Sequence, residues 1–322
     1  MAVLTSLTES DARTLLFAYG LGPLRALEGI AGGSVNSNFA LESDARRVFL
    51  RLYEERDLAG AQRETAMLER LAAAGVPTPA PLRALDGSLV RVLTGKPAAL
   101  FPWRDGQMRC QAGVTLEEAA RIGQALAHVH LAGAGEVCEA GRFGFSELLA
   151  RVDRVAASGD PRFAPWVPSL KADLERVHAA RQPDLPRGLI HGDLFRDNVL
   201  WDPCGEISAL LDFESACEGT YAYDLMVTVL SWCVGDELQP ELATAMRGGY
   251  EGVRRLTDAE KRGIFAEGCF AALRFTVTRI TDYAMRTEVA GPRVVKDWRR
   301  FLQRFQTLTD LGSEGLARVL GA

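Results

Sequence analysis

The apolar residues change period near residue 105, and that change limits the folds open to this chain. Before it, short apolar runs alternate with turn residues. The runs at 32–41 and 47–53 are strand-like, and the polar stretch 42–46 between them makes a hairpin. Further apolar runs at 89–93 and 97–103 follow the Asp86-Gly87 turn, and Val76-Pro77-Thr78-Pro79-Ala80-Pro81 is extended by proline chemistry. Two helices belong to this part. Thr8 caps one over 7–19, with Ala12, Leu15, Leu16 and Tyr19 on its apolar stripe, and Gly75 stops another over 60–74. After Asp105-Gly106 the spacing is helical over 115–131, 166–181, 222–234, 239–254, 258–286 and 292–310. One island, 188–216, breaks the helical run with three short strand-like segments around Leu189-Ile190, Val199-Leu200-Trp201 and Ala209-Leu210-Leu211. The expected fold is α+β in two lobes, sheet-rich over 1–103 and mainly helical over 104–322, with a hinge at 101–106 and a cleft between them.

Composition narrows the function. Hydrophobic residues are 48% and charged residues 25%, the balance of a globular chain rather than a disordered one. A net charge of -5 makes nucleic acid an unexpected partner, because such binding rests on neutralising phosphates. Six cysteines stand without any CxxC pair, which fits buried thiols in a reducing compartment. The N-terminal residues lack a basic segment followed by an apolar run, and no apolar stretch reaches membrane-spanning length. No membrane partner is expected, and the expected location is the cytoplasm. Only four of the 37 basic residues are lysines, and none lies in the first 95 residues.

The strand island carries the chemistry. It reads Leu189-Ile190-His191-Gly192-Asp193-Leu194-Phe195-Arg196-Asp197-Asn198, followed by Leu210-Leu211-Asp212-Phe213-Glu214. Phosphoryl transfer needs a carboxylate that accepts or orients the attacking hydroxyl, and oxygen ligands that hold Mg²⁺ on the triphosphate. Asp193 at the end of a strand-like run suits the first role. Asn198 and Asp212 suit the second, since Mg²⁺ takes a few protein oxygens together with phosphate. The spacing matches the H-R-D-x-x-x-x-N pattern of protein kinases and its later Asp, with Gly192 in place of Arg.

His191-Gly192-Asp193-x4-Asn198 with Asp212-Phe213 resembles the aminoglycoside phosphotransferase and choline kinase superfamily, whose fold is protein-kinase-like. Within that superfamily the chain is most similar to the bacterial homoserine kinases. This rests on Gly33-x2-Asn36-Ser37-Asn38-Phe39, Leu50-Arg51-Leu52-Tyr53-Glu54, Gly95-Lys96-Pro97-Ala98-Ala99-Leu100, Ala222-Tyr223-Asp224 and Ala272-Leu273-Arg274-Phe275-x2-Thr278-Arg279, from about residue 28 to 300. The resemblance implies ATP and Mg²⁺ as cofactors, Asp193 as base, Asn198 and Asp212 as metal ligands, and His191 as an orienting residue. It also implies that the turn Gly32-Gly33-Ser34 covers the phosphates, and that Asn36 and Asn38 are candidates for phosphate or substrate contact. Where kinases of this fold place a strand lysine, this chain has Arg51, with Glu64 as its expected partner. Phe101 and Trp103 are the aromatic candidates for the adenine, or else packed side chains.

The acceptor implied by the resemblance is L-homoserine, a zwitterion with a terminal hydroxyl. Its carboxylate needs a cation, for which Arg274 and Arg279 are both candidates, and Glu214 is the candidate for its amine. Two alternatives stay open from the residues themselves. One keeps the chemistry and takes choline, an aminoglycoside or another amino alcohol; the other is a nucleotide-binding protein without turnover.

Overall fold

The computed structural model describes residues 4–30, 35–136, 138–285 and 296–321. The turn Gly32-Gly33-Ser34, expected to cover phosphates, lies outside the described residues. The same is true of the ends of two expected helices, at 286 and 292–295. The chain forms two compact units, one of residues 1–107 with 200–214, the other of 108–199 with 215–322.

The first unit is built on a five-stranded sheet. Helix α1 (Glu9–Ala18) begins at Thr8, whose side chain accepts from Asp11 N–H while Asp11 reaches back, a capping box. Strands β1 (Leu24–Gly29), β2 (Ser37–Ser43) and β3 (Arg47–Leu52) run antiparallel in succession. Helix α2 (Leu58–Ala73) then leads to β4 (Arg91–Leu93) and β5 (Lys96–Pro102), and the sheet order is β1-β2-β3-β5-β4. Alternation sorts the sheet's two faces. Val48, Leu50 and Leu52 of β3 join Ala98 and Leu100 of β5 in a core closed by Leu15 and Leu16 of α1. Phe49, Arg51, Ala99 and Phe101 alternate onto the opposite face, with Arg51 in register with Ala99.

The second unit is mainly helical. Helix α3 (Leu116–Ala132) starts at another capping box, Thr115 with Glu118, and is followed by α4 (Phe145–Ala157) and α5 (Val167–Ala180). Strand β6 (Arg187–Ile190) opens the strand island. Strands β7 (Val199–Trp201) and β8 (Ile207–Leu210) pair with each other, and this excursion belongs largely to the first unit. There Leu210 N–H donates to Pro77 O, and Gln107 bridges to Trp201. The chain returns through β9 (Cys217–Thr220), antiparallel to β6, into the buried helix α6 (Tyr221–Trp232). Helices α7 (Pro240–Glu251), α8 (Asp258–Arg279) and α9 (Arg299–Val319) complete the unit. A Cβ on Gly123 or Gly249 would fall 2.0 Å from a backbone oxygen of the facing helix, so α3 and α7 meet backbone to backbone. Among the described residues no helix is long and apolar enough to cross a membrane. The six cysteines are free thiols.

Candidate active site

The segment after β6 is held by a buried carboxylate as well as by its own side chains. Asp224 in the first turn of α6 accepts the His191 N–H at 2.7 Å and the Gly192 N–H at 2.8 Å. His130 of α3 lies 3.0 Å from the same carboxylate through Nε2, and its Nδ1 is 2.7 Å from the Tyr250 hydroxyl. Tyr250 also accepts from Arg254 at 3.0 Å, so Nε2–H of a neutral His130 donates to Asp224. Burial drives the His130 imidazole below its usual pKa. Burial alone would raise the Asp224 carboxyl, but its hydrogen bonds, His130 first, hold it below the usual range. Gly192 is left-handed at φ 73°, and a Cβ there would sit 2.9 Å from Ser215 O. That is why glycine stands where the protein-kinase pattern has Arg.

This loop delivers two of the expected residues. Asp193 follows Gly192, its N–H donating to His191 Nδ1 at 3.3 Å, and its carboxylate remains partly exposed. Asn198 is nearly buried and its Nδ2 donates to Asp193 O at 2.7 Å. With the amide nitrogen fixed, Oδ1 is the end left to meet a cation. Arg274 of α8 brings Nη1 to 3.8 Å from Asp193 Oδ1. Its guanidinium lies over the rings of Phe275 at 3.7 Å and Phe143 at 4.2 Å. Arg279, five residues on, donates to Asp297 O at 3.0 Å and lies 4.4 Å from the Phe301 ring centroid.

The first unit holds the other expected residues. Arg51 points its Nη1 at Glu64 Oε1 (3.1 Å) and Glu214 Oε1 (3.4 Å). Burial opposes the Arg51 charge, but Glu214 and then Glu64 outweigh it and raise its pKa above the usual guanidinium value. Glu64 also accepts from the Tyr53 hydroxyl at 3.1 Å and pairs with Arg56 Nε at 3.1 Å. Arg56 donates a further bond to Glu214 O at 2.9 Å. Burial raises the Glu214 carboxyl, with Arg51 opposing. Lys96, the one lysine in this unit, is paired with Glu54 and takes no part in the Arg51 network.

Asn36 bridges within the same network, donating to Glu214 Oε1 at 2.5 Å and accepting the Glu54 N–H at 3.1 Å. Asn38 is buried on β2 in register with Arg51. Asp212 stands two residues before Glu214 at φ 61°, a backbone state that costs a non-glycine residue about 1–3 kcal/mol and gathers at functional sites. Phe101 is buried edge-to-face on Phe49 at 6.2 Å, while one face of Trp103 is covered by the Arg47 guanidinium at 3.8 Å. Residue patterns alone did not indicate Arg56, His130 or Phe143. Each does its work through contacts that lie outside its own local pattern. Among the described residues no group of three or more His, Cys, Asp and Glu forms a metal cluster, and the expected pair Asn198 and Asp212 is not of that kind.

The sheet-based first unit, the helical second unit and the Asp193–Asn198 loop are those of a kinase-like phosphotransferase. The profile of the phosphotransferase enzyme family (APH) matches residues 26–259, and the chain belongs to this family. Full-length relatives carry a more particular name. A homoserine kinase of Methylocella silvestris is 36% identical over 100% of this chain and 99% of its own, and one of Gluconacetobacter diazotrophicus is 35% identical over 98% and 100%. In fold the chain resembles amicoumacin kinase hAmiN, solved with AMP-PNP and Ca²⁺ (TM-score 0.72, 15% identity, 95% of this chain and 94% of that one). It likewise resembles a choline/ethanolamine kinase family protein of Mesorhizobium loti (TM-score 0.62, 21% identity, 98% and 100%).

Proposed function

We propose that this chain transfers the γ-phosphoryl group of ATP to the hydroxyl of L-homoserine, giving O-phospho-L-homoserine and ADP on the route to threonine. The observation that carries the reading is identity of 35–36% with homoserine kinases along nearly the whole of both chains. Asp193 accepts the hydroxyl proton as the oxygen attacks the γ-phosphorus. The new O–P bond forms as the bond to the β-phosphate oxygen breaks, and ADP leaves with that electron pair. The Asp224 bonds to the His191 and Gly192 amides fix the backbone that aims Asp193, so the base needs little reorganisation during reaction.

Asn198, with its nitrogen already anchored, and Asp212 are the residues that would hold Mg²⁺. The ion supplies charge neutralisation on the phosphates. Arg51, locked by Glu64 and Glu214, is the phosphate-facing cation of the first unit, and Phe101 and Trp103 are its candidates for the adenine. Glu214 stays the candidate for the amine, Asn38 for polar contact with the substrate, and Arg274 and Arg279 for the carboxylate. With free thiols and an ATP-linked reaction, the cytoplasm is the compartment this reading calls for.

The test is ADP release with ATP and Mg²⁺ across L-homoserine, L-serine, L-threonine, choline and kanamycin. Selective release with L-homoserine, abolished in Asp193→Asn with ATP binding intact, is the expected result. A response to a different alcohol alone would discard the acceptor and keep the chemistry.

A further inference from the structure

Helices α8 and α9 and the Asp193 loop share an aromatic cluster that carries cations at its edges. Phe275 lies 4.8 Å from both Phe195 and Phe301, and Phe195 is 5.9 Å from Phe301. Arg274 stacks on Phe275, beside Asp193. Arg279 and Arg304 each lie 4.4 Å from the Phe301 centroid. Arg304 is buried, and its Nη2 donates to Val234 O at 3.2 Å. Arg300 is exposed next to Phe301 and adds a third positive charge. Among the described residues Arg279, Arg300 and Arg304 form no ion pair with a carboxylate. Burial, then the Arg279, Arg196 and Arg300 charges, push the Arg304 guanidinium down to about 9, and burial brings Arg279 to about 10. Guanidiniums grouped against few carboxylates, with Asp193 and Asp197 the ones that favour Arg279, are the setting of an anion site.

Chain length then separates the two candidate arginines. From hydroxyl oxygen to carboxylate oxygen an extended 4-hydroxy amino acid spans about 6 Å, and a hydrogen bond at each end brings the span from base to clamp to about 10 Å. Arg274 Nη1 is 3.8 Å from Asp193 Oδ1, far too close to serve as the distal clamp. Arg279 lies five residues further along α8, about 7.5 Å along the helix axis, and one aromatic ring beyond Phe275. Its charge still acts on the same helix-to-loop region, since Asp193 is its strongest favourable partner.

Resting on the homoserine reading above, we propose that Arg279, backed by Arg304 and Arg300, binds the acceptor's carboxylate, and that Arg274 is a positioning residue that holds Asp193. Arg274 suits that task. It is buried, sandwiched between Phe275 and Phe143, and close enough to Asp193 to fix the carboxylate without competing for the hydroxyl.

The test compares L-homoserine with 3-aminopropan-1-ol, the same amino alcohol without the carboxylate. Wild type is expected to favour L-homoserine by about 100-fold in kcat/KM, the scale set by one lost charge-assisted contact. Arg279→Ala should remove most of that preference through the KM for L-homoserine, changing 3-aminopropan-1-ol by less than about threefold. Arg274→Ala should lower kcat for both acceptors by the same factor, with partial recovery in Arg274→Lys. Should Arg279→Ala fail to fold, the exposed Arg300→Ala reads the same ratio, with a severalfold rise in KM for L-homoserine alone. The proposal is overturned if the ratio collapses in Arg274→Ala, or if it is untouched in Arg279→Ala and Arg300→Ala. A wild type that prefers 3-aminopropan-1-ol removes the homoserine reading and the carboxylate site together, an outcome visible before any variant is made.

Discussion

Arg51 is gripped from two sides through one nitrogen. Its Nη1 faces Glu64 and Glu214 together, and the planar guanidinium holds its remaining donors in a fixed fork, whereas an ammonium is a compact point charge on a flexible stem. Removing it leaves the buried Glu64 carboxylate with Arg56 alone and takes from the partly buried Glu214 its paired cation, a loss on the order of 3–5 kcal/mol when a buried pair is broken. Arg51→Ala should therefore lower the melting temperature by several degrees and raise the KM for ATP at least about tenfold. Arg51→Lys should recover stability in part but little of the ATP affinity. Calorimetry and ATP titration check both, and an unchanged KM would return Arg51 to a structural role. The absence of lysine before residue 96 made Arg51 legible in the sequence, and the helical Arg63-Glu64 made its partner legible too. Arg56 was not legible, because it follows β3 in a stretch without periodicity and its meaning lies in contacts to Glu64 and Glu214.

At the scale of elements, the Asp193 loop depends on α6 more than on its own strand. Asp224 satisfies two loop amides and His130, so Asp224→Asn removes the charge and leaves at least one buried donor facing another. A loss of about 2–4 kcal/mol at neutral pH is expected from such a change, with a fall in kcat because the loop loosens. The pH dependence has a definite sign. The native Asp224 carboxyl titrates below its ordinary 3.8, so the unfolded chain binds its proton first as the pH falls. The stability it contributes is complete above pH 3.8 and is lost as the pH drops through the lower native value. Urea unfolding at pH 7 and near pH 3 should show the wild type's advantage over Asp224→Asn shrinking at the acid end, and a gap constant with pH would contradict the assignment.

Periodicity announced most helices, and Thr8 announced a cap that forms as expected. Helix α4 was missed although Leu148, Val152 and Val155 stand at i, i+4 and i+7, because no side-chain cap at Gly144 marks its start. Strand β1 was missed for a different reason: it is an edge strand with one buried residue in six, so no alternation is visible. The helix expected over 258–286 ends at Arg279 and passes into a π turn, Ile280–Ala284. There Arg151 of α4 donates to Thr281 Oγ1 at 2.7 Å and Asp282 Oδ1 at 2.5 Å, a long-range contact that no local pattern encodes.

For the whole molecule, the consequence of the chain's path is that neighbours in sequence belong to different compact units. Asn198 closes the loop of the second unit, while Asp212, only 14 residues later, is part of the first. The motif spacing was legible, but not this division, because the excursion through β7 and β8 joins the first unit by backbone bonds to Gln107 and Pro77. The proposed divalent ion is the reagent that tests each of these residues by itself. Chelation with EDTA should abolish ADP release and added Mg²⁺ should restore it in full. Asp212→Asn and Asn198→Ala, one change in each unit, should each raise the Mg²⁺ concentration for half-maximal turnover by about tenfold or more, the scale of losing one ligand contact. Asp212→Asn tolerates the left-handed backbone as the native residue does, so its effect on unfolding should stay small and the defect should be read in the metal dependence. A variant with normal Mg²⁺ dependence and full kcat would remove its residue from the metal site, and because the two residues are tested separately, each unit's contribution stands or falls by itself.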